Sequence, residues 1–314
     1  MLKFILMSAK GLVVPVNTCI LLDGSITAGP TSVQEIEHSS SHHRSQLVLL
    51  GQGGFVAFIG GVLDCKGFVD HGVSSLGPKC QSGSGAPVKN IQNMHMVILH
   101  DVTISNARTD AIYMKGRLSS VPLIIHKCTV QESGRRGIWG HVSSNVYIIK
   151  NSSSGNAKDG VDLDAGCKGI VCIKNICHHN ERHGIFIEEG ASGNLVLGNM
   201  SLQNRQAGIH LWNEAVMGVT NSNLCAFNTC AQNNKGISVG GRGEDRTAAG
   251  NCFFNNACVH NDQEGICTGN KFSNSNSFVH TIIKDNCKKN RGMNQVNHYG
   301  PHESIQFSTP ASID

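Results

Sequence analysis

Three things are scarce in this 314-residue chain: aromatic residues at 5%, charged residues at 15%, and proline, which occurs seven times. No apolar run approaches the ~18 residues that a membrane-spanning helix needs, so no membrane partner is expected. No run of Lys and Arg marks a nucleic-acid site. The net charge of +4, with 16 histidines uncounted, is a mild basic bias that is compatible with an acidic partner. The 13 cysteines never take the CxxC spacing of a zinc site. Most of them read as small buried hydrophobes rather than disulfide partners. The apolar start, Met1 to Met7, is interrupted by Lys3 and is too short for a convincing signal peptide.

Glycine, with 36 residues, is abundant, and Asn and Ser recur in short stretches. Gly and Asn are poor helix formers and good turn residues. The composition therefore disfavours helix bundles and suits many short strands joined by tight corners. Asn151-Ser152-Ser153 and Asn199-Met200-Ser201 fit the glycosylation triplet, which arises often by chance in such a chain.

The dominant signal is periodic. Glycine followed by an apolar–any–apolar triplet recurs as Gly160-Val161-Asp162-Leu163, Gly184-Ile185-Phe186-Ile187 and Gly208-Ile209-His210-Leu211. Further copies start at Gly137, Gly236, Gly265 and Gly292, and Asp110-Ala111-Ile112 is an earlier copy with Ala in the glycine place. Asn156, Asn180, Asn204 and Asn261 run in phase, each four residues before a repeat glycine, with Asn233 and Asn290 close to that phase. A stack of Asn at one corner lets each amide bond to the coil next door. A short regular period means a repeat architecture. The expected fold is all-β, a single-stranded right-handed parallel β-helix of about ten coils, forming one domain over residues 1–314. Residues 1–11 are expected as an N-terminal cap, 12–293 as coils and 294–314 as a C-terminal cap or tail. Gln34–Ser45, Gly72–Val88 and Gly240–Ala249 read as loops leaving the solenoid.

Strand neighbours point to opposite faces, so residues one and three after each glycine point inward and those two and four after it point out. One outward column is then Trp139, Asp162, Phe186, His210 and Ser238, and the next is His141, Asp164, Glu188, Trp212 and Gly240. Arg136, Asp159, His183, Ala207 and Lys235 precede the glycines. With coils about 4.8 Å apart, Asp159, Asp162, Asp164, His183, Glu188 and His210 should share a patch roughly 10 Å across. Trp139, Phe186 and Trp212 flank it, and Arg135, Arg136, Lys158, Arg182 and Arg205 lie near its rim. Flat rings stack on sugars, while carboxylates and histidines perform acid–base chemistry.

Asp159-Gly160-Val161-Asp162-Leu163-Asp164, followed one coil later by Arg182-His183-Gly184-Ile185, resembles the carbohydrate-binding β-helix of mannuronan C5-epimerases. Gly54–Gly67 resembles an early coil shared by pectin-degrading β-helices. The resemblance implies His183 as the catalytic histidine and Asp162 as a carboxylate-handling residue. Where that family has Pro-His this chain has Leu163-Asp164, and His210 is the candidate substitute. The same stretch also resembles polygalacturonases, without their Asp-Asp pair.

The expected partner is a polysaccharide, an acidic, uronate-containing one. Lyases and C5-epimerases both begin by removing the proton at C5, and the resulting charge must be stabilised. In that scheme His183 is the general base or acid, His210 or Tyr147 the opposite proton partner, and Arg182, Arg136 or a protonated Asp162 the neutraliser of the substrate carboxylate. Trp139, His141, Phe186, Glu188, Trp212 and Arg136 would bind substrate. Hydrolysis by a carboxylate pair drawn from Asp159, Asp162, Asp164 and Glu188 is the alternative, and a non-catalytic glycan-binding solenoid is another. No cofactor is expected, although the carboxylates can be read as a Ca²⁺ site. A monomer in an extracellular or secretory setting is favoured.

Overall fold

The computed structural model describes residues 2–6, 12–14, 17–28, 46–50, 55–67, 71–76, 96–115, 122–214, 218–243, 246–268 and 275–288. The segments expected as a loop at Gln34–Ser45 and as a tail at 294–314, together with Gly292 and Asn290, lie outside them.

The described chain winds through three sheets in strict rotation. The first sheet runs from Leu2–Leu6 to Ile282–Lys284 in eleven strands, the second starts at Leu12–Val14 and also has eleven, and the third starts at Thr18–Leu21 and has ten. Pairing is parallel throughout, apart from one short antiparallel pair between Lys235–Gly243 and Arg246–Thr247. Successive coils stack in register: Ile138 pairs with Val161, Val161 with Ile185, Ile185 with Ile209 and Ile209 with Ile237. These inward residues form one continuous buried core running the length of the solenoid.

Several boundaries differ from expectation. Leu2–Leu6 pairs in parallel with Gly24–Ala28, so the first rung lies in the segment expected as a cap, and the first sheet has one rung more than ten. His71–Leu76 is a strand of the second sheet, which removes the first part of the expected Gly72–Val88 loop; residues 77–88 lie outside the described residues. Gly240–Ala249 is largely the hairpin just mentioned, because the strand begun at Lys235 continues to Gly243 before turning back.

The corners are held by asparagine. Asn156, Asn180, Asn204, Asn233, Asn261 and Asn286 form a ladder in which the Nδ2 of each donates to the Oδ1 of the next at 2.8–3.3 Å. Two further ladders, running from Asn151 to Asn256 and from Asn194 to Asn276, were not foreseen. In each, the next Asn Oδ1 also accepts the backbone N–H, and Nδ2 makes a second bond to a backbone carbonyl: Asn199 donates to Asn228 Oδ1 at 3.0 Å and to the Cys172 carbonyl at 2.9 Å. Buried polar groups that would otherwise be orphaned are thereby satisfied. The repeat glycines have a different cause. A Cβ on Gly184 would lie 2.5 Å from Ser201 Oγ and 2.7 Å from the Gly208 carbonyl, closer than packed atoms approach.

Asn151 and Asn199 are buried inside the ladders, so neither glycosylation triplet presents an accessible side chain. Cys65, Cys128, Cys167, Cys172, Cys177, Cys225, Cys230, Cys258 and Cys267 are buried and unbridged, in the role of small apolar residues.

Replacing Asn199 by Ala removes the acceptor used by the Asn175 backbone N–H and by Asn175 Nδ2. With two buried donors and one carbonyl left unmet, stability should fall by about 2–4 kcal/mol, whereas exposed Lys174→Ala should stay within about 0.5 kcal/mol. Denaturant unfolding of both variants tests this.

Candidate functional site

The outer face of the second sheet carries the candidate residues in the expected order. Tyr113, Trp139, Asp162, Phe186, His210 and Ser238 follow one another at equivalent positions, and His141 pairs with Asp164 and Glu188 with Trp212. Strands such as Val161–Asp164 alternate as anticipated, with Val161 and Leu163 in the core and Asp162 outside it. What the alternation does not reveal is depth. Asp159 and Asp162 have no exposed surface, and Trp139, Phe186 and Arg136 are each 3–6% exposed.

The cause is a layer of arginine laid over shorter acids. Arg182 Nε lies 2.8 Å and 3.0 Å from the two oxygens of Asp159, Arg182 Nη2 closes a second contact, and the His183 backbone N–H donates to Asp159 Oδ1 at 3.2 Å. Arg136 Nε is 2.5 Å from Asp162 Oδ2, and its Nη1 is 3.7 Å from Asp110. The first of these contacts is close but badly aligned, so neither Asp162 oxygen has a hydrogen-bond donor. Burial therefore holds the Asp162 pKa well above the usual carboxylate range, against the pull of Arg136. Both guanidinium groups are capped by rings: Arg136 lies 4.3 Å from the centroid of Trp139, which stacks on Tyr113, and Arg182 lies 4.5 Å from that of Phe186. Arg135 reaches the other part of the Trp139 surface at 5.7 Å. Burial, aided by the nearby Asp164 charge, raises Glu188 to about 8. Asp164 accepts from Trp139 Nε1 at 3.2 Å.

One coil further on lies a cleft of ≈ 280 Å³, lined in part by His183, His210, Trp212, Lys235, Ser238 and Cys267. The two imidazole rings are 4.4 Å apart, and His210 stacks between Phe186 and Trp212. Their hydrogen bonds assign opposite tautomers. The Ala207 backbone N–H donates to His183 Nδ1 at 3.2 Å, which leaves the ring proton of neutral His183 on Nε2. His210 Nδ1 faces the Ser238 carbonyl at 3.1 Å and so carries the proton there, leaving Nε2 with a lone pair. Burial, then the positive surroundings, keep both rings neutral: His183 lies well below the normal histidine range and His210 falls to about 4.

The structure thus divides the expected set. His183, His210 and Trp212 share the cleft, while Glu188, Asp164 and His141 are partly exposed beside the buried network. Asp159, Asp162 and Arg136 are sealed beneath neighbours, which removes them from direct contact with a substrate. Trp139 and Phe186 are covered by arginine and cannot serve as sugar platforms. Arg182 is committed to Asp159, Arg205 pairs with exposed Glu181 at 2.6 Å, and Tyr147 lies on the third sheet, away from the site. Lys158 is partly buried among Arg135, Arg182 and Arg136, and its pKa is lowered by burial first and then by them. Arginine occupies the space between the carboxylates where a cation would sit, and among the described residues no group of three or more His, Cys, Asp or Glu is arranged to hold a metal. Sequence reasoning missed Asp110 as a member of the acid network and Lys235 as a lining residue; both occupy the position before a repeat glycine or its Ala equivalent, a column that was already visible.

Glu188 supplies a pH signature. Its folded pKa of about 8 exceeds the ordinary 4.5, so its contribution to stability is present in full below about 4.5 and is lost as pH rises towards 8. Glu188→Gln should escape that loss: its melting temperature should rise relative to wild type from pH 5 to pH 8.5, and parallel pH profiles would refute the assignment.

Residues 81–224 match the family model described as "Right handed beta helix region". No curated protein matches the sequence. Solved structures do match by fold. The mannuronan C-5 epimerase AlgE6 A-module of Azotobacter vinelandii superposes with a TM-score of 0.60 at 11% identity, over 92% of this chain and 87% of that one. The AlgE4 A-module from the same organism gives 0.60 at 12%, over 97% and 89%. The Dettilon tailspike protein gives 0.52 at 12%, over 92% of this chain and 61% of its own. These likenesses, the family model and the strand pairing agree: the chain is a right-handed parallel β-helix.

Proposed function

We propose that the chain is a carbohydrate-active enzyme that removes the C5 proton of a uronate residue within a polysaccharide, as a lyase or a C5-epimerase. The observation that carries this reading is the histidine pair of opposite tautomers in one cleft. His210 offers a lone pair at Nε2, oriented by its bond to the Ser238 carbonyl, and so acts as the base. His183, with its proton on Nε2, is a donor rather than a base, and it hydrogen-bonds the substrate carboxylate. A pKa near 4 makes free His210 a weak base. A bound uronate brings a negative charge beside it, which raises its proton affinity in the complex. Lys235 lines the same cleft and supplies positive charge to the carboxylate as the enolate-like state develops. Trp212, partly exposed, is the remaining aromatic surface for a sugar ring. The shared fold with the AlgE6 and AlgE4 mannuronan C-5 epimerase modules is in keeping with this chemistry.

Hydrolysis is the second reading, favoured by Glu188. A carboxyl group with a pKa of about 8 still holds its proton at neutral pH and suits a general acid, with Asp164 on the adjacent coil as its partner.

Assays on alginate, pectate and a neutral glucan separate these readings. Elimination yields ultraviolet absorbance from an unsaturated sugar, epimerisation in deuterated water puts deuterium at C5, and hydrolysis yields reducing ends alone. His210→Ala should reduce turnover about 10²–10⁴-fold, and His183→Gln, which keeps a donor, should retain more activity than His183→Ala. Full activity in His210→Ala, or products from none of the three polymers, overturns the proposal.

A further inference from the structure

Beside the cleft, the two edges of the second sheet carry opposite charge. At the edge where its strands begin, the residues two places before the repeat glycines form a column of their own. Backbone bonds join it rung by rung. The Lys158 N–H donates to the Arg135 carbonyl at 2.6 Å, the Arg182 N–H to the Lys158 carbonyl at 3.0 Å, and the Gln206 N–H to the Arg182 carbonyl at 2.8 Å. Three cations thus occupy three consecutive rungs, and Gln206 and Asn234 continue the column along the cleft. At the opposite edge Asp164, Glu188 and Glu189 stand together, and burial followed by the Asp164 charge pushes Glu189 upward.

The three cations are held differently. Arg182 is tied to the buried Asp159, and Arg135 lies 5.7 Å from the centroid of Trp139. Lys158, between them, pairs with no carboxylate among the described residues. Burial, then the charges of Arg135, Arg182 and Arg136, lower its pKa against the weaker pull of the covered Asp159. Positive charge is therefore crowded at Lys158 without an accessible anion to answer it.

We infer that Arg135, Lys158 and Arg182 form a ridge along which an acidic polysaccharide lies parallel to the solenoid axis, with Lys158 the residue that selects for charge on one side of the cleft. The ridge rests on the proposed reading of the cleft as the reaction site, and it adds places for the sugars that flank the reacting one. Arg135 lies three rungs from His210, about 14 Å at 4.8 Å per rung. A polymer crossing the sheet along its strands would leave the cations and meet Asp164 and Glu188. One that runs along the axis keeps its carboxylates beside the ridge. Nucleic acid, another anionic polymer, fits less well, because its bases need open rings to stack on and Trp139 and Phe186 are covered by arginine.

Calorimetric titration of the full chain with uronate oligosaccharides from alginate and pectate tests the ridge separately from turnover. A neutral glucan oligomer and single-stranded DNA serve as the comparisons. Lys158→Gln should weaken uronate binding about tenfold, flatten its salt dependence, and raise KM with kcat unchanged. Lys158→Arg should keep most of the affinity. Arg135→Gln provides an independent variant should Lys158→Gln fold poorly. Lys174→Gln, which removes an exposed cation at a corner beside the third sheet, should change nothing. The ridge is overturned by uronate binding that is undiminished in folded Lys158→Gln and Arg135→Gln, that is no tighter than glucan binding, or that DNA of equal charge displaces. Lys158-dependent binding without turnover of any polymer keeps the ridge as a binding surface and removes the proposed activity, whereas turnover indifferent to Lys158 does the reverse.

Discussion

The amide of one asparagine meeting the amide of the next is the interaction on which everything else here depends. In a β-strand the side-chain period is two, so a slip of one residue between coils would exchange core and surface along a whole rung. Hydrophobic burial alone tolerates small shifts. The ladders do not, because within them an Asn Oδ1 accepts both the backbone N–H and the Nδ2 of its neighbour, as Asn175 Oδ1 does from Asn151, and Nδ2 reaches a further carbonyl, as Asn175 Nδ2 does at Ile148. A displaced coil would leave several buried polar groups unmet at once. The glycines act in the same direction by keeping successive backbones close, as at Gly160 and Gly184.

Register in turn makes the site. Because Trp139, Asp162, Phe186 and His210 are stacked in line, the arginines one column away can lie across them. Acids outnumber arginines in this layer: Asp110, Asp159, Asp162, Asp164 and Glu188 surround Arg136 and Arg182. Burying an unbalanced set of charges is unfavourable unless some groups keep their protons, and burial pushes Asp159, Asp162 and Glu188 in that direction. The result is a stiff, covered block of charge beside an open cleft. The block holds Phe186 and the His183 backbone in place, and the cleft keeps two neutral imidazoles whose bonds to Ala207 and Ser238 set which nitrogen faces outward.

The fold was legible in the residues because both of its requirements leave marks at a fixed period. Gly160, Gly184 and Gly208 mark one corner, and Asn156, Asn180 and Asn204 another. A second asparagine ladder left the same kind of mark without being singled out: Asn175, Asn199 and Asn228 lie five residues before Asn180, Asn204 and Asn233. Gly240–Ala249 looked like a loop because Gly, Arg and Glu are turn residues, yet the strand from Lys235 extends through it by pairing with Arg246–Thr247. The outward columns were read correctly, and with them the neighbourhood of Asp162, His183 and His210.

The sequence by itself therefore determined the architecture, the phase of each coil and which side chains lie on the outer surface of the second sheet, because alternation and spacing are local properties. Only the tertiary structure decided which of those side chains remain reachable and in what state. Asp159 and Asp162 vanish beneath Arg182 and Arg136, Trp139 beneath an arginine as well, and His183 becomes a donor while His210 becomes an acceptor. Depth and tautomer depend on what the adjacent coils place overhead and on which backbone group faces each ring, and those contacts join residues about 24 to 28 positions apart in the chain.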